Sequence, residues 1–168
     1  MSYCHFVSDV VNLLGVNHIY NKKIKNLSGG ELQRLSITIC LGTPADVYLL
    51  DEPSASLDVE YRFNTTKVIK RFFLHNNKLG FVIEHDILMA ILLARESFSQ
   101  VLVLNDTIDK FHKTSTVSGL MDYNTGINMF LKDINTTFRT DKINNRPKIN
   151  KLDSVMDKEQ KINNTYFI

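Results

Sequence analysis

Leu27-Ser28-Gly29-Gly30-Glu31-Leu32-Gln33-Arg34, followed by Asp51-Glu52-Pro53, is the stretch whose reading decides the fold. Ser28 stands three residues before Glu31, the spacing of a capping box in which each side chain satisfies the other residue's backbone N–H. The run behind it is ambiguous by period alone. Leu32, Leu35 and Ile39 share a helix face, whereas Leu35, Ile37, Ile39 and Leu41 alternate as in a strand. The cap decides for a helix. Val47-Tyr48-Leu49-Leu50 is a short unbroken apolar run. That pattern predicts a strand covered on both faces, with Asp51 and Glu52 at its carboxyl end.

Outward from this pair the periods alternate. Phe6, Val10, Leu13 and Leu14 predict a helix, with Gly15 just past its end. Residues 16–26 are polar and read as a loop. Asp58 is a candidate N-cap for a helix carrying the stripe Val68, Ile69, Phe72 and Phe73. Gly80 reads as a break. Phe81-Val82-Ile83 reads as a second buried strand ending at Glu84-His85, and Asp86 as the cap of a helix over 87–95. Val101-Leu102-Val103-Leu104 is a third apolar run. Strand, helix, strand, helix, strand predicts an α/β fold with a parallel sheet flanked by helices. Beyond Asn105 the pattern weakens to a short helix over 124–133 and an edge strand over 134–138. From Arg139 the chain is mostly polar, with Pro147 marking an extended stretch.

Composition bounds the reading. The 168 residues fit one ordinary domain by length, and 43% hydrophobic content suffices for a core. Twenty basic against 18 acidic residues give a net charge of +2, which provides no global field toward nucleic acid. The basic residues between Arg139 and Lys161 read as a solvated tail. Two cysteines, Cys4 and Cys40, cannot build a disulfide framework or ligate an iron–sulfur cluster alone. Cys4-His5 lacks a second ligand cluster for a metal, and Cys40 reads as a core residue. No apolar run reaches bilayer length and no secretory signal opens the chain. The expectation is a cytoplasmic protein with no membrane partner.

Four elements carry chemistry. A carboxylate at the carboxyl end of a parallel strand faces the crevice where such sheets bind ligands, so Asp51 is a candidate for holding Mg²⁺ through water. Glu52 is placed to polarise an attacking water as general base. Ser28, Gly29 and Gly30 open a helix whose free N–H groups favour an anion. The two glycines cost backbone entropy that a plain cap would avoid. His85 lands on the same rim as Asp51, within reach of a phosphate or the attacking water, or is held by its neighbours Glu84 and Asp86. Ser54-Ala55-Ser56-Leu57-Asp58 is a small-residue loop in which Asp58 is a cap or part of a contact to a partner domain.

In this order the elements resemble the nucleotide-binding domain of an ATP-binding-cassette (ABC) protein. Leu27 to Arg34 looks like its signature motif and Val47 to Glu52 like its Walker B strand. Ser54 to Asp58 looks like its D-loop and His85 like its switch histidine. A narrower likeness adds Gly42-Thr43-Pro44-Ala45-Asp46, Val82-Ile83-Glu84-His85-Asp86, Thr137-Phe138-Arg139, and the stretch from Arg146 to Lys161. These are similar to the second cassette and hinge tail of the ABC subfamily E ribosome-recycling factors, the RNase L inhibitor family. The resemblance implies ATP and Mg²⁺ as cofactors and an opposing cassette as partner. It also implies ribosomal subunits, the small subunit first, and release or initiation factors. Asp51 would help hold Mg²⁺, Glu52 would be the hydrolytic base, and His85 would contact the γ-phosphate. Ser28, Gly29, Gly30, Glu31, Gln33 and Asp58 would serve nucleotide binding, Ser28 and Gly30 toward a nucleotide seated on the opposite cassette. An iron–sulfur cluster is expected only in an N-terminal part outside this chain.

The departures are as informative. No Gly-x-x-x-x-Gly-Lys-Ser/Thr occurs among the seven glycines, so the β- and γ-phosphates lack their usual anchor. Ser56 stands where this subfamily is expected to carry an aromatic residue. The expected architecture is therefore a partial P-loop cassette lacking its phosphate-loop strand. Its parts are a helical subdomain over 1–42, a Walker B to switch-histidine core over 43–105, a C-terminal subdomain over 106–138 and a polar hinge tail over 139–168. Such a chain is expected to be marginally stable and inactive as an ATPase alone. It reads as a fragment of a recycling ATPase. The alternatives are a non-hydrolysing module docking on a cassette or ribosome, and a fragment of another ABC ATPase such as a transporter subunit.

Overall fold

Ser28 and Glu31 do form a capping box. The Glu31 N–H donates to Ser28 Oγ at 3.3 Å, and the Ser28 N–H donates to Glu31 Oε2 at 2.9 Å. The helix it starts runs over Gly29–Gly42. The cap thus outweighs the strand-like alternation of Leu35 to Leu41. The computed structural model describes residues 3–95, 99–108, 113–141 and 147–168. Lys142 and Arg146, parts of the expected tail, lie outside the described residues. The chain forms two compact units, Met1–Leu93 and Ala94–Ile168.

In the first unit, α1 (Tyr3–Phe6) widens into a π-helical turn over Val7–Val11 and stops at Gly15, whose φ is +63°. Val10, Val11 and Leu14 are buried. The predicted loop over 16–26 contains two short 3-10 turns, Val16–Ile19 and Ile24–Asn26. Then follow α2 (Gly29–Gly42), β1 (Val47–Asp51), α3 (Val59–Asn76), β2 (Leu79–Ile83) and α4 (Ile87–Ala94). Asp58 caps α3, accepting from the Tyr61 N–H at 3.0 Å. Asp86 accepts from the Leu88 and Met89 N–H groups at 2.9 and 3.3 Å and so caps α4.

β1 and β2 pair in parallel, Val47 opposite Leu79 through Asp51 opposite Ile83, with α3 as the crossover. Their inner residues Tyr48 and Leu50 join Val10, Leu14, Ile37, Val68, Ile69 and Phe72 in the core. Tyr48 packs edge-on against Phe72 and Phe73, with centroids 5.1 and 5.8 Å apart.

Two expectations fail on this sheet. The strands are covered on one face, not both: Val47, Leu49, Leu79, Phe81 and Ile83 are all exposed. An apolar run reports what a surface is suited to contact, and here that contact is absent among the described residues. Gly80 is not a break but a strand residue opposite Tyr48; the Phe73 ring occupies the space a Cβ would take.

In the second unit the run 101–104 is not a third parallel strand. Val101 bridges Met121 in antiparallel fashion, and β3 (Leu104–Ile108) pairs antiparallel with β4 (Lys113–Val117). A four-residue apolar run does not encode the direction of its partner. α5 (Tyr123–Asp133) forms as predicted, capped by Asp122. The predicted edge strand over 134–138 is largely a turn, with Asn135 at φ +50°. β5 (Phe138–Thr140) begins at its last residue, pairs antiparallel with β6 (Pro147–Ile149), and bridges Phe167 on its other side. The described part of the tail is folded rather than solvated, ending in α6 (Val155–Ile162). Thr137, Asn150, Asp157 and Gln160 are all buried there. Among the described residues no helix is long and apolar enough to cross a membrane.

Candidate functional site

Glu52 and His85 meet at the carboxyl end of the parallel strands. His85 Nδ1 lies 2.9 Å from Glu52 Oε1, both side chains open to solvent. The parallel ladder brings them together: Asp51 is opposite Ile83, and the Glu52 N–H continues the pairing by donating to the Ile83 carbonyl at 2.9 Å. Each acidic neighbour of His85 is engaged elsewhere. Glu84 accepts from the Ser54 N–H at 3.0 Å and from Ser54 Oγ at 2.9 Å. Asp86 pairs with the Arg62 guanidinium besides capping α4. His85 is therefore held by the residue read as the general base and not by its sequence neighbours.

Asp51 is exposed, and its carboxylate makes no hydrogen bond among the described residues. A free hard-oxygen ligand at a strand end fits Mg²⁺ beside phosphates. Among the described residues no cluster of three ligating side chains exists, so the remaining ligands would be water and phosphate oxygens.

The start of α2 lies against the loop leaving β1. An added Cβ on Gly30 would stand 2.8 Å from the Ser56 carbonyl oxygen, and one on Gly29 would stand 3.6 Å from the Ser56 side chain. Gln33 Nε2 donates to the Glu52 carbonyl at 3.2 Å. Arg34 donates to the Gly30 carbonyl at 3.3 Å, and its guanidinium sits 3.8 Å over the Tyr61 ring. Gly30 is thus explained by close packing within the chain, whatever else approaches the helix end. Ser28 Oγ is spent as an acceptor in the cap, which leaves its O–H proton available as a donor. Glu31 is occupied twice, by the Ser28 N–H and by Lys22 Nζ at 2.5 Å. Those contacts, with Lys22 first, hold its carboxyl below the usual carboxylate value. Asp58 is occupied as the α3 cap.

Sequence reasoning missed the left-handed backbone at Glu52 (φ +44°) and Ser56 (φ +60°). Neither is glycine, so no residue type announced it. It also missed Ser54 as the partner of Glu84.

A family model described as ABC transporter matches residues 5–55. The translation initiation factor RLI1 of Saccharomyces cerevisiae is 49% identical over 162 residues, 96% of this chain and 26% of that protein. A solved structure of an RNase-L inhibitor superposes with TM-score 0.85 at 37% identity, over 99% of this chain and 31% of that one. The archaeal ribosome recycling factor aABCE1, solved in complex with the archaeal ribosomal stalk protein aP1, gives TM-score 0.84 at 36% identity, over the same shares of the two chains. The chain thus spans about a quarter of the length of the curated relatives it matches.

Proposed function

Since this chain belongs to the E family of ABC proteins, the RNase L inhibitor family, we propose that it supplies half of a nucleotide site in an ATPase that splits ribosomal subunits. The observation that carries the reading is the Glu52–His85 pair at 2.9 Å on the rim of the parallel strands, with Asp51 open beside it. On this reading Glu52 takes the proton of the attacking water, and His85 orients Glu52 and meets the terminal phosphate. Asp51 holds Mg²⁺ through water. The metal neutralises charge on the phosphate oxygens when bound. Ser28 and the N–H groups at the start of α2 face a nucleotide on an opposing cassette.

The chain contributes residues 1–42 as helical subdomain, 43–105 as core, 106–138 as C-terminal subdomain and 139–168 as hinge. Partners on this reading are the opposing cassette, the ribosomal subunits and the factors bound to them, which places the protein in the cytoplasm. An iron–sulfur cluster would be held outside these residues, which include two cysteines. With no phosphate-loop motif in the sequence, the isolated chain is expected to hydrolyse no ATP.

A graft tests this. The yeast relative would have its matching residues replaced by this chain and its other nucleotide site disabled. The graft is expected to hydrolyse ATP and split subunits, with Glu52→Gln slowing hydrolysis by on the order of a hundredfold or more. Hydrolysis unaffected by Glu52→Gln refutes the assignment. A graft that binds ribosomes but never hydrolyses favours the non-hydrolysing module.

A further inference from the structure

Glu52 holds a left-handed backbone that a residue with a Cβ adopts only when its surroundings impose it. Three contacts do so. Its N–H is fixed by the Ile83 carbonyl at 2.9 Å, and its carbonyl accepts from the Ala55 N–H at 3.0 Å. The same carbonyl accepts from Gln33 Nε2 at 3.2 Å. The first two belong to the strand pair and the turn that follows it. The third is the one that comes from another element, α2, one turn inside its start.

We propose that Gln33 is a positioning residue for Glu52: its side-chain amide fixes the backbone turn that aims the Glu52 carboxylate at His85. The family resemblance implies nucleotide binding for Gln33; one N–H of its amide is engaged within the chain by the Glu52 carbonyl. Gly30 makes the arrangement sterically feasible, because its missing Cβ lets α2 settle against the Ser56 carbonyl. The helix start is therefore docked at two points of one loop, residues 52 and 56. A shift of α2 along its axis pulls on the Glu52 carbonyl directly. This inference rests on Glu52 being the general base. It adds a physical link between the helix end that faces one nucleotide and the carboxylate that serves the other.

The test uses Gln33→Met, which keeps the length but has no donor, and Gln33→Glu, which puts an acceptor there. In the graft described above, both are expected to lower kcat about tenfold with the ATP KM within about twofold, the mark of a misaligned base rather than a lost ligand. In the intact 168-residue chain, backbone ¹³C shifts of Glu52 should move away from left-handed values and the Ala55 amide should exchange faster. Amides of Leu35 to Cys40 should keep their protection.

A raised KM with kcat retained makes Gln33 a nucleotide contact and overturns the proposal. Loss of protection throughout α2 makes it merely structural and also overturns it. Unchanged Glu52 shifts do the same without any activity measurement. Failure of the underlying reading shows separately, as hydrolysis indifferent to Glu52→Gln.

Discussion

Gly30 shows how one residue supports two accounts that differ in a measurable way. An anion cradle needs backbone N–H groups and small residues, and treats Gly29 and Gly30 alike. The structure separates them: an added Cβ on Gly30 would stand 2.8 Å from the Ser56 carbonyl oxygen, while one on Gly29 would stand at an ordinary contact distance of 3.6 Å. Alanine at position 30 forces its methyl group against the Ser56 backbone carbonyl, an overpacking that costs about 1–3 kcal/mol. Alanine at position 29 meets no such obstacle and gains about 1 kcal/mol of helix propensity at most. Urea unfolding of the intact chain should therefore show Gly30→Ala destabilised and Gly29→Ala unchanged or slightly improved. Equal midpoints for the two would remove the packing account. The sequence made Ser28 and Glu31 legible, because capping boxes have fixed spacing and residue type. It hid the left-handed turns at Glu52 and Ser56, because conformations imposed by tertiary contacts on ordinary residues leave no mark in the residue type.

Elements were legible to the extent that their contacts are local. The caps Ser28, Asp58 and Asp86 all hold, each set by residues two or three positions apart. The strand at 101–104 was misread because its partners, Met121 and Val117, are distant in sequence, and the tail because its buried contacts are both distant and polar. Asp157 is the centre of that missed structure. It accepts from Thr137 Oγ1 at 2.5 Å, from the Asp153 N–H at 3.0 Å and from Lys161 Nζ at 3.1 Å, tying β5 to α6. The Thr137 hydroxyl first, then Lys161 and the Asp153 N–H, hold its carboxyl below the ordinary carboxylate value. A lowered carboxyl stabilises the fold fully above the unfolded value of about 4 and loses that contribution as pH falls through the folded value. Urea midpoints for the second unit should thus be flat in neutral solution and fall in acid. Asp157→Asn should be less stable near neutrality and should shrink the acid fall. Glu31, Asp46 and Asp122 are lowered too, so the difference between chain and variant isolates Asp157. An identical acid limb in both would show that this carboxylate does not control it.

At the scale of the whole molecule, the sheet face left open matters most. Leu49 is 73% exposed, and its direct neighbour across the ladder, Phe81, is 46% exposed. Val47, Leu79 and Ile83 extend the same face. Parallel strands occur almost only with both faces covered, and contiguous apolar patches on a surface mark places where other polypeptide packs. The composition made this face look like ordinary core, since 43% hydrophobic content does not say which side of a strand is served. The chain on its own should therefore bind a hydrophobic dye such as ANS and self-associate with rising concentration. Leu49→Lys combined with Phe81→Lys should cut both effects several-fold while leaving the far-ultraviolet circular dichroism unchanged, because these two side chains give little to the core beneath them. The same pair placed in the graft should abolish ATP hydrolysis, because lysines would then be forced into a covered surface without partners. Dye binding and association that persist in the double variant would show that the adhesive surface lies elsewhere. A graft that tolerates both lysines would show that the face stays open even in the assembled ATPase.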